Sequence, residues 1–336
     1  MREHHRTEHT LDTTSLHTTP LDPPSGRRRR RRFDDDEPVT RRRRSANPVE
    51  LDARAGTDID GPPAGDRWST WDGAVHGPRP RPAWVVTDHG AVDTELGVLK
   101  TGKEADVHLL ERAVPGTDRR VLLAAKRYRT AEHRMFHRDA GYLEGRRVRR
   151  SRETRAMARR TGFGRDLLSG QWAAAEFAAL SRLWVDGVAV PHPVSLDRTE
   201  LLLEFVGTPD GTAAPRLAAL RPDPDELADL WRQLGAALHG LARHGLTHGD
   251  LSAYNLLVDD RGGGQRLVVI DLPQVVDVVG NPQGPAFLAR DVARAAEWFA
   301  ARGLPDAPAR TAELLDDLHA ELGIPADAAG RGTSHL

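Results

Sequence analysis

The sequence predicts an α+β fold of two lobes, a small antiparallel-sheet N-terminal lobe and a mainly helical C-terminal lobe, preceded by a disordered tail. Three observations predict it. Residues 1 to about 80 are rich in His, Thr, Asp, Pro and Arg and carry almost no periodic apolar positions, so they bury too little surface to offset the entropy of ordering. Three strand-like runs with short connections follow. Beyond Leu167 the apolar spacing is mostly that of amphipathic helices.

Order is expected to begin near Pro82–Val86. Thr94–Leu99, Val107–Glu111 and Val121–Tyr128 then read as an antiparallel meander, the last two joined across Pro115-Gly116, a turn signal. Residues 129–165 are densely basic with few core positions. From Leu167 to Val185 a helix places Trp172, Glu176, Leu180 and Leu183 on one face. Glu176 is the anomaly, because an acid inside an apolar stripe either escapes at the rim or is paired. Leu201–Gly207 reads as a buried strand. Asp223–His244 is an amphipathic helix stopped by Gly245. Leu256–Val258 and Leu267–Ile270 form a hairpin that brings Asn255 and Asp271 to neighbouring strand ends. Two further helices, Phe287–Arg302 and Pro308–Leu322, complete the pattern. The expected divisions are 1–80 tail, 81–206 first lobe, 207–326 second lobe and 327–336 disordered end.

A net charge of −1 over 336 residues hides segregation. Arginine blocks at 27–32 and 41–44 flank an acidic run at 34–37. Such blocks are ordinarily solvated, and the alternative is contact with RNA or a ribosomal particle through its phosphates. The absence of cysteine removes disulfides, thiolate nucleophiles and Cys-based zinc sites. No apolar stretch has the length of a membrane span or the character of a signal peptide. A soluble cytoplasmic protein without membrane contact is expected.

His248-Gly249-Asp250-Leu251-Ser252-Ala253-Tyr254-Asn255 and Val269-Ile270-Asp271 carry the chemistry. Phosphoryl transfer needs cations against the phosphates and a group that aims the nucleophile. Asp250 is placed to accept the hydroxyl proton, and Asn255 and Asp271 present the oxygens a magnesium ion takes. Lysine is rare here, confined to Lys100, Lys103 and Lys126. Lys126 ends an apolar run where a phosphate-binding ammonium belongs, and Glu176 is its expected partner. The turn Thr101-Gly102-Lys103 has one glycine and is no Walker A loop, yet it can present N–H groups and a hydroxyl to phosphate.

Thr101-Gly102-Lys103-Glu104-Ala105, Lys126, Glu176, Leu203-Glu204-Phe205, the His248–Asn255 loop and Ile270-Asp271-Leu272-Pro273-Gln274 together resemble the RIO family of atypical serine/threonine protein kinases, over about residues 85–305. The resemblance implies a protein-kinase-like fold and the subfamily without a winged helix. It also implies ATP with Mg²⁺, or Mn²⁺ in its place. Lys126 would bind the α/β phosphates and Glu176 would hold it. Thr101, Gly102 and Lys103 would form the phosphate turn, the backbone at Glu204 and Phe205 would bind adenine, and the basic stretch 129–165 would be the family's flexible loop. Asp250 would be the catalytic Asp, with Asn255 and Asp271 as metal ligands. No Ala-Pro-Glu segment follows Asp271, so the protein substrate is open. Autophosphorylation or ATP hydrolysis uses the same groups. The rival readings are a small-molecule phosphotransferase of aminoglycoside-kinase type and an ATP-switched binding protein on RNA or ribosomes.

Overall fold

A computed structural model describes residues 62, 64–129 and 162–324. The arginine blocks, most of the basic stretch 129–165 and the segment 327–336 lie outside them. The fold is the expected two-lobed α+β arrangement. Its first lobe is a seven-stranded antiparallel sheet built from β1 (Arg67–Trp68), β2 (Val75–His76), β3 (Val92–Thr101), β4 (Ala105–Ala113), β5 (Arg120–Tyr128), β6 (Pro193–Asp197) and β7 (Glu200–Glu204). The order across the sheet is β1-β3-β4-β5-β7-β6-β2.

The alternation in β5 assigns its two faces. Leu123 and Ala125 join Trp71, Val85, Leu110, Val194 and Leu202 in one apolar cluster. Ala124 and Lys126, one residue out of phase, turn to the other side and line the cleft. Helix α1 (Gly162–Val185) covers that side, with Trp172 and Ala173 packed on Ala105 and Tyr128.

The expected tail boundary at residue 80 is too late. β1 and β2 form the two edges of the sheet, pairing with β3 and β6. Trp71 between them is 6% exposed and stacks on His76 at 3.9 Å. Two-residue strands leave no alternation to read, so the sequence concealed them. The expected loop end at 165 also moves, because α1 already includes Gly162.

The second lobe holds α2 (Pro224–Arg243), β8 (Leu246–Thr247), β9 (Leu256–Asp259), β10 (Arg266–Val269), β11 (Val276–Asp277), α3 (Gly284–Ala301) and α4 (Ala307–Glu321). Asp223 caps α2 by accepting from Asp225 N and Glu226 N, each at 2.9 Å, while Glu226 reaches back to Asp223 N. This capping box contributes on the order of 1 kcal/mol. Leu227, Leu230, Trp231, Leu234, Leu238 and Leu241 of α2 enter the main core together with Phe299 of α3 and Leu318 of α4. β9 and β10 form the expected hairpin, with Leu256 opposite Val269. Among the described residues no helix is long and apolar enough to cross a membrane.

Candidate active site

Between the lobes lies a cleft of about 460 Å³, lined by β3 and β4, the turn joining them, β5, α1, the 203–206 segment, the 213–216 segment, Asp250, Leu257, Ile270, Asp271 and Gln274. That volume falls in the range of small-ligand and cofactor sites. Leu99, Val107, Ala124, Leu180, Leu203, Phe205, Leu257 and Ile270 supply apolar walls, and Lys126 bridges Glu176 and Asp271 across the cleft.

Lys126 is the electrostatic centre. Its Nζ donates to Glu176 Oε1 at 2.7 Å and to Asp271 Oδ1 at 2.6 Å. Glu176 is 1% exposed. It accepts from Lys126, from the Tyr128 hydroxyl and from the Leu272 amide, the last at 3.0 Å. The anomalous acid of the helical stripe is therefore paired, and it also fixes the chain immediately after Asp271. Asp271 itself sits at φ 67°, a left-handed conformation uncommon outside glycine. Burial opposes ionisation of Asp271, but the charge and hydrogen bond of Lys126, with Lys100 and His248 nearby, outweigh it and hold the carboxyl at about 2. Burial likewise opposes the Lys126 ammonium, and Glu176 and Asp271 overcome it, so that pKa moves upward. Burial first, then the Glu176 charge, drives the Tyr128 phenol well above its ordinary range.

The loop carrying Asp250 is held by a buried acid. Asp291 of α3, 0% exposed, accepts from Thr247 Oγ1 at 2.8 Å, Gly249 N at 2.6 Å and Leu251 N at 3.1 Å. Arg290 donates to Gly249 O at 2.6 Å. Gly249 has φ 85°, and a Cβ there would lie 2.2 Å from Gln274 O. Only glycine fits this contact between the two halves of the motif. The His248 ring bridges the loop and the strand after it, with Nδ1 3.3 Å from Asp250 N and Nε2 3.0 Å from Ile270 O. Asp250 faces the cleft and accepts from Arg294 at 3.0 Å.

The hairpin places Asn255 opposite the residue before Asp271, with Ile270 N donating to Asn255 O at 3.0 Å. The Asn255 Nδ2 donates to Asp250 O at 2.9 Å. That bond commits the nitrogen end of the amide and leaves Oδ1 as its acceptor end. Asn255 Oδ1 and the Asp271 carboxylate are hard oxygens of the kind Mg²⁺ takes. No cluster of three or more His, Asp or Glu side chains placed to hold a metal occurs among the described residues.

Gly102, Lys103, Glu204 and Phe205 line the cleft as expected. Thr101 and Asn255 do not: Thr101 is exposed at the end of β3, and Asn255 is 9% exposed behind Asp250. The Glu204 N–H is used by His192 O at 2.8 Å, and the Val206 carbonyl by Ala214 N at 2.9 Å. Sequence reasoning gave no role to Tyr128, Arg216 or Arg294, and counted Lys100 and Gln274 only as one of three lysines and as a motif residue. Gln274 spans the cleft mouth to Glu104 at 3.1 Å. Its position three residues after Asp271 was the available signal.

Fold and site together define a protein-kinase-like protein with a nucleotide-sized cleft between its lobes. The family model for the RIO domain matches residues 118–312. The chain belongs to the RIO domain family. It is 35% identical over 221 residues to the RIO-type serine/threonine-protein kinase Rio1 of Haloferax volcanii, covering 66% of this chain and 68% of that one. It is 30% identical over 224 residues to the serine/threonine-protein kinase RIO1 of Chaetomium thermophilum, covering 64% of this chain and 41% of the relative. The chain thus spans about two fifths of that fungal protein and, at 40%, of RIO3 from Caenorhabditis elegans. The Rio2 kinase–ADP/Mg²⁺–phosphoaspartate complex from Chaetomium thermophilum aligns with a TM-score of 0.46 at 22% identity, covering 70% of this chain and 68% of that one. The matching relatives are named as RIO-type serine/threonine-protein kinases, which does not favour the small-molecule phosphotransferase reading.

Proposed function

We propose that this RIO-family chain is an ATP-dependent serine/threonine protein kinase that works with Mg²⁺, or Mn²⁺ in its place. The observation that carries the reading is the convergence of Lys126, Glu176, Asp250 and Asp271 on one cleft from four separate elements. Adenine would lie between Ala124, Leu203, Phe205 and Leu257, its edge read by main-chain groups of 204–206 that His192 and Ala214 do not occupy. Lys126, held against Glu176, is a fixed cation for the phosphates.

Asn255 and Asp271 would hold the Mg²⁺, which supplies charge neutralisation on the phosphates when bound. Asp250 orients the acceptor hydroxyl and takes its proton. The bond from the γ phosphorus to the ADP leaving oxygen breaks as the bond to the acceptor oxygen forms. Arg294 fixes the Asp250 carboxylate from one side, and the Asn255 and His248 bonds fix its backbone.

The acceptor is a Ser or Thr hydroxyl of another protein or of this chain, and water as acceptor gives ATP hydrolysis. Incubation with γ-labelled ATP, alone and with cell lysate, separates these outcomes by where the label goes. Label in neither protein nor inorganic phosphate would refute the reading. Contact with RNA or ribosomal particles through the arginine blocks is a second element of the proposal. It predicts salt-dependent co-sedimentation lost on deleting residues 1–57. A cytoplasmic location fits these partners.

A further inference from the structure

Lys100 and Arg216 are the two cations of the cleft that the roles above leave unused. They come from opposite sides of it, Lys100 from the end of β3 and Arg216 from the segment that pairs with Leu257 of β9. Both are half-buried. Among the described residues neither side chain has a hydrogen-bonded or ion-paired partner. Arginine elsewhere in this lobe is handled differently. Arg112 is bidentate to Asp93 at 2.7 and 3.0 Å, Arg129 chelates Asp106, and Arg127 is shared between Glu95 and Glu200. Two unpaired, half-buried cations in one concave site are costly unless something anionic enters between them.

Charge around Lys100 supports this. Burial pushes its ammonium down; the Asp271 carboxylate opposes, while Arg216 and Lys126 push it further down. Lys100 therefore feels Lys126 and Asp271, the end of the cleft where phosphate belongs, and it feels Arg216 across the opening. An entering phosphate would reverse the balance by giving all three cations a common partner.

We propose that Lys100 and Arg216 form a second anion subsite of the nucleotide cleft, gripping the polyphosphate on the side away from Glu176. The inference rests on the nucleotide reading of the cleft and adds its phosphate selectivity. Lys126 holds one side of the chain, and Lys100 with Arg216 closes the other. The subsite makes the protein prefer triphosphate over the bare nucleoside by more than Lys126 alone provides. It also ties the two lobes together through the ligand, because Lys100 and Arg216 belong to different lobes.

The test compares ATP and adenosine binding by calorimetry, with the full chain and Mg²⁺, in wild type, Lys100→Met, Arg216→Met and the charge-keeping Lys100→Arg and Arg216→Lys. Each Met variant is expected to weaken ATP about tenfold, as for loss of one charge-assisted contact. Adenosine affinity stays within twofold, and the charge-keeping variants recover most of the loss. Thermal melting of the nucleotide-free Met variants should match or exceed wild type, since a repulsion has been removed. Equal ATP affinity in wild type and both Met variants overturns the subsite while the nucleotide reading stands. So does ATP and adenosine weakening in parallel with a lowered melting temperature, which marks a structural role. An effect confined to the KM for a peptide acceptor also overturns it, assigning the cations to substrate. If wild type itself binds no nucleotide, the reading of the cleft falls and takes the subsite with it.

Discussion

Truncating Glu176 to alanine isolates the interaction on which the cleft depends. The wild-type carboxylate receives three donors at 1% exposure: the Lys126 ammonium at 2.7 Å, the Tyr128 hydroxyl and the Leu272 amide at 3.0 Å. Removing it leaves Lys126 with Asp271 alone, and strands a phenol and an amide that burial keeps from bulk water. Breaking a buried pair costs about 3–5 kcal/mol, and each stranded neutral donor about 1–3 kcal/mol. These overlap, because water entering the space re-pairs some donors, so the expected net loss is about 3–5 kcal/mol. With a urea m-value of about 2–3 kcal/mol/M, the unfolding midpoint moves down by roughly 1–2.5 M. Glu176→Gln keeps the shape and one acceptor oxygen, and should cost about half as much. ATP turnover should fall by about 100-fold or more in the alanine variant, because a phosphate cation displaced by an ångström loses its alignment. A Glu176→Ala protein with an unchanged midpoint and turnover within twofold of wild type would refute the reasoning.

Other outcomes follow from the same geometry. The Asp271 carboxyl, at about 2 in the folded protein, lies below its unfolded range near ~3.9. The stability its pair contributes is therefore complete above that unfolded value and is lost as pH falls through about 2. Asp271→Asn should flatten the acid limb of the stability–pH curve, and an unchanged limb would contradict the pairing. Gly249→Ala forces a Cβ to 2.2 Å from Gln274 O at φ 85°, and should lower stability by about 2 kcal/mol or more. Near-wild-type melting would count against that close approach. Asp291→Ala, which removes the acceptor for Thr247, Gly249 and Leu251, should cost about 2–4 kcal/mol. Faster amide hydrogen exchange at Gly249 and Leu251 checks it.

What the sequence disclosed follows from where its information lies. The Lys126–Glu176 pair was readable because each residue breaks its local pattern: a cation closing an apolar strand and an acid inside an apolar helical face. The helix from Pro224 to Arg243 was readable because Asp223 caps its start and Gly245 stops it. β1 and β2 were not, since two residues carry no alternation and their pairing with β3 and β6 is set by tertiary contact. The buried Arg112–Asp93 pair was equally hidden, because on a strand a charged residue reads as facing water until its cross-strand partner is known. Thr101 and Asn255 show the converse limit. Both stand within the motifs, but Thr101 is exposed at the end of β3 and Asn255 is nearly buried with its amide engaged by Asp250 O, so neither is among the residues that line the cleft. Lys100 and Arg216, 116 positions apart by their numbering (216 minus 100), share a cleft only because two lobes fold onto each other.

The proposed activity requires Asp250 and Asp271 to act on a triphosphate bound beside Lys126. Label release and transfer from γ-labelled ATP, measured for wild type, Asp250→Ala and Asp271→Ala at equal folded concentration, address it most directly. Activity is expected in wild type, with a fall of about 100-fold or more in each variant. Turnover at the wild-type rate in both variants would contradict it.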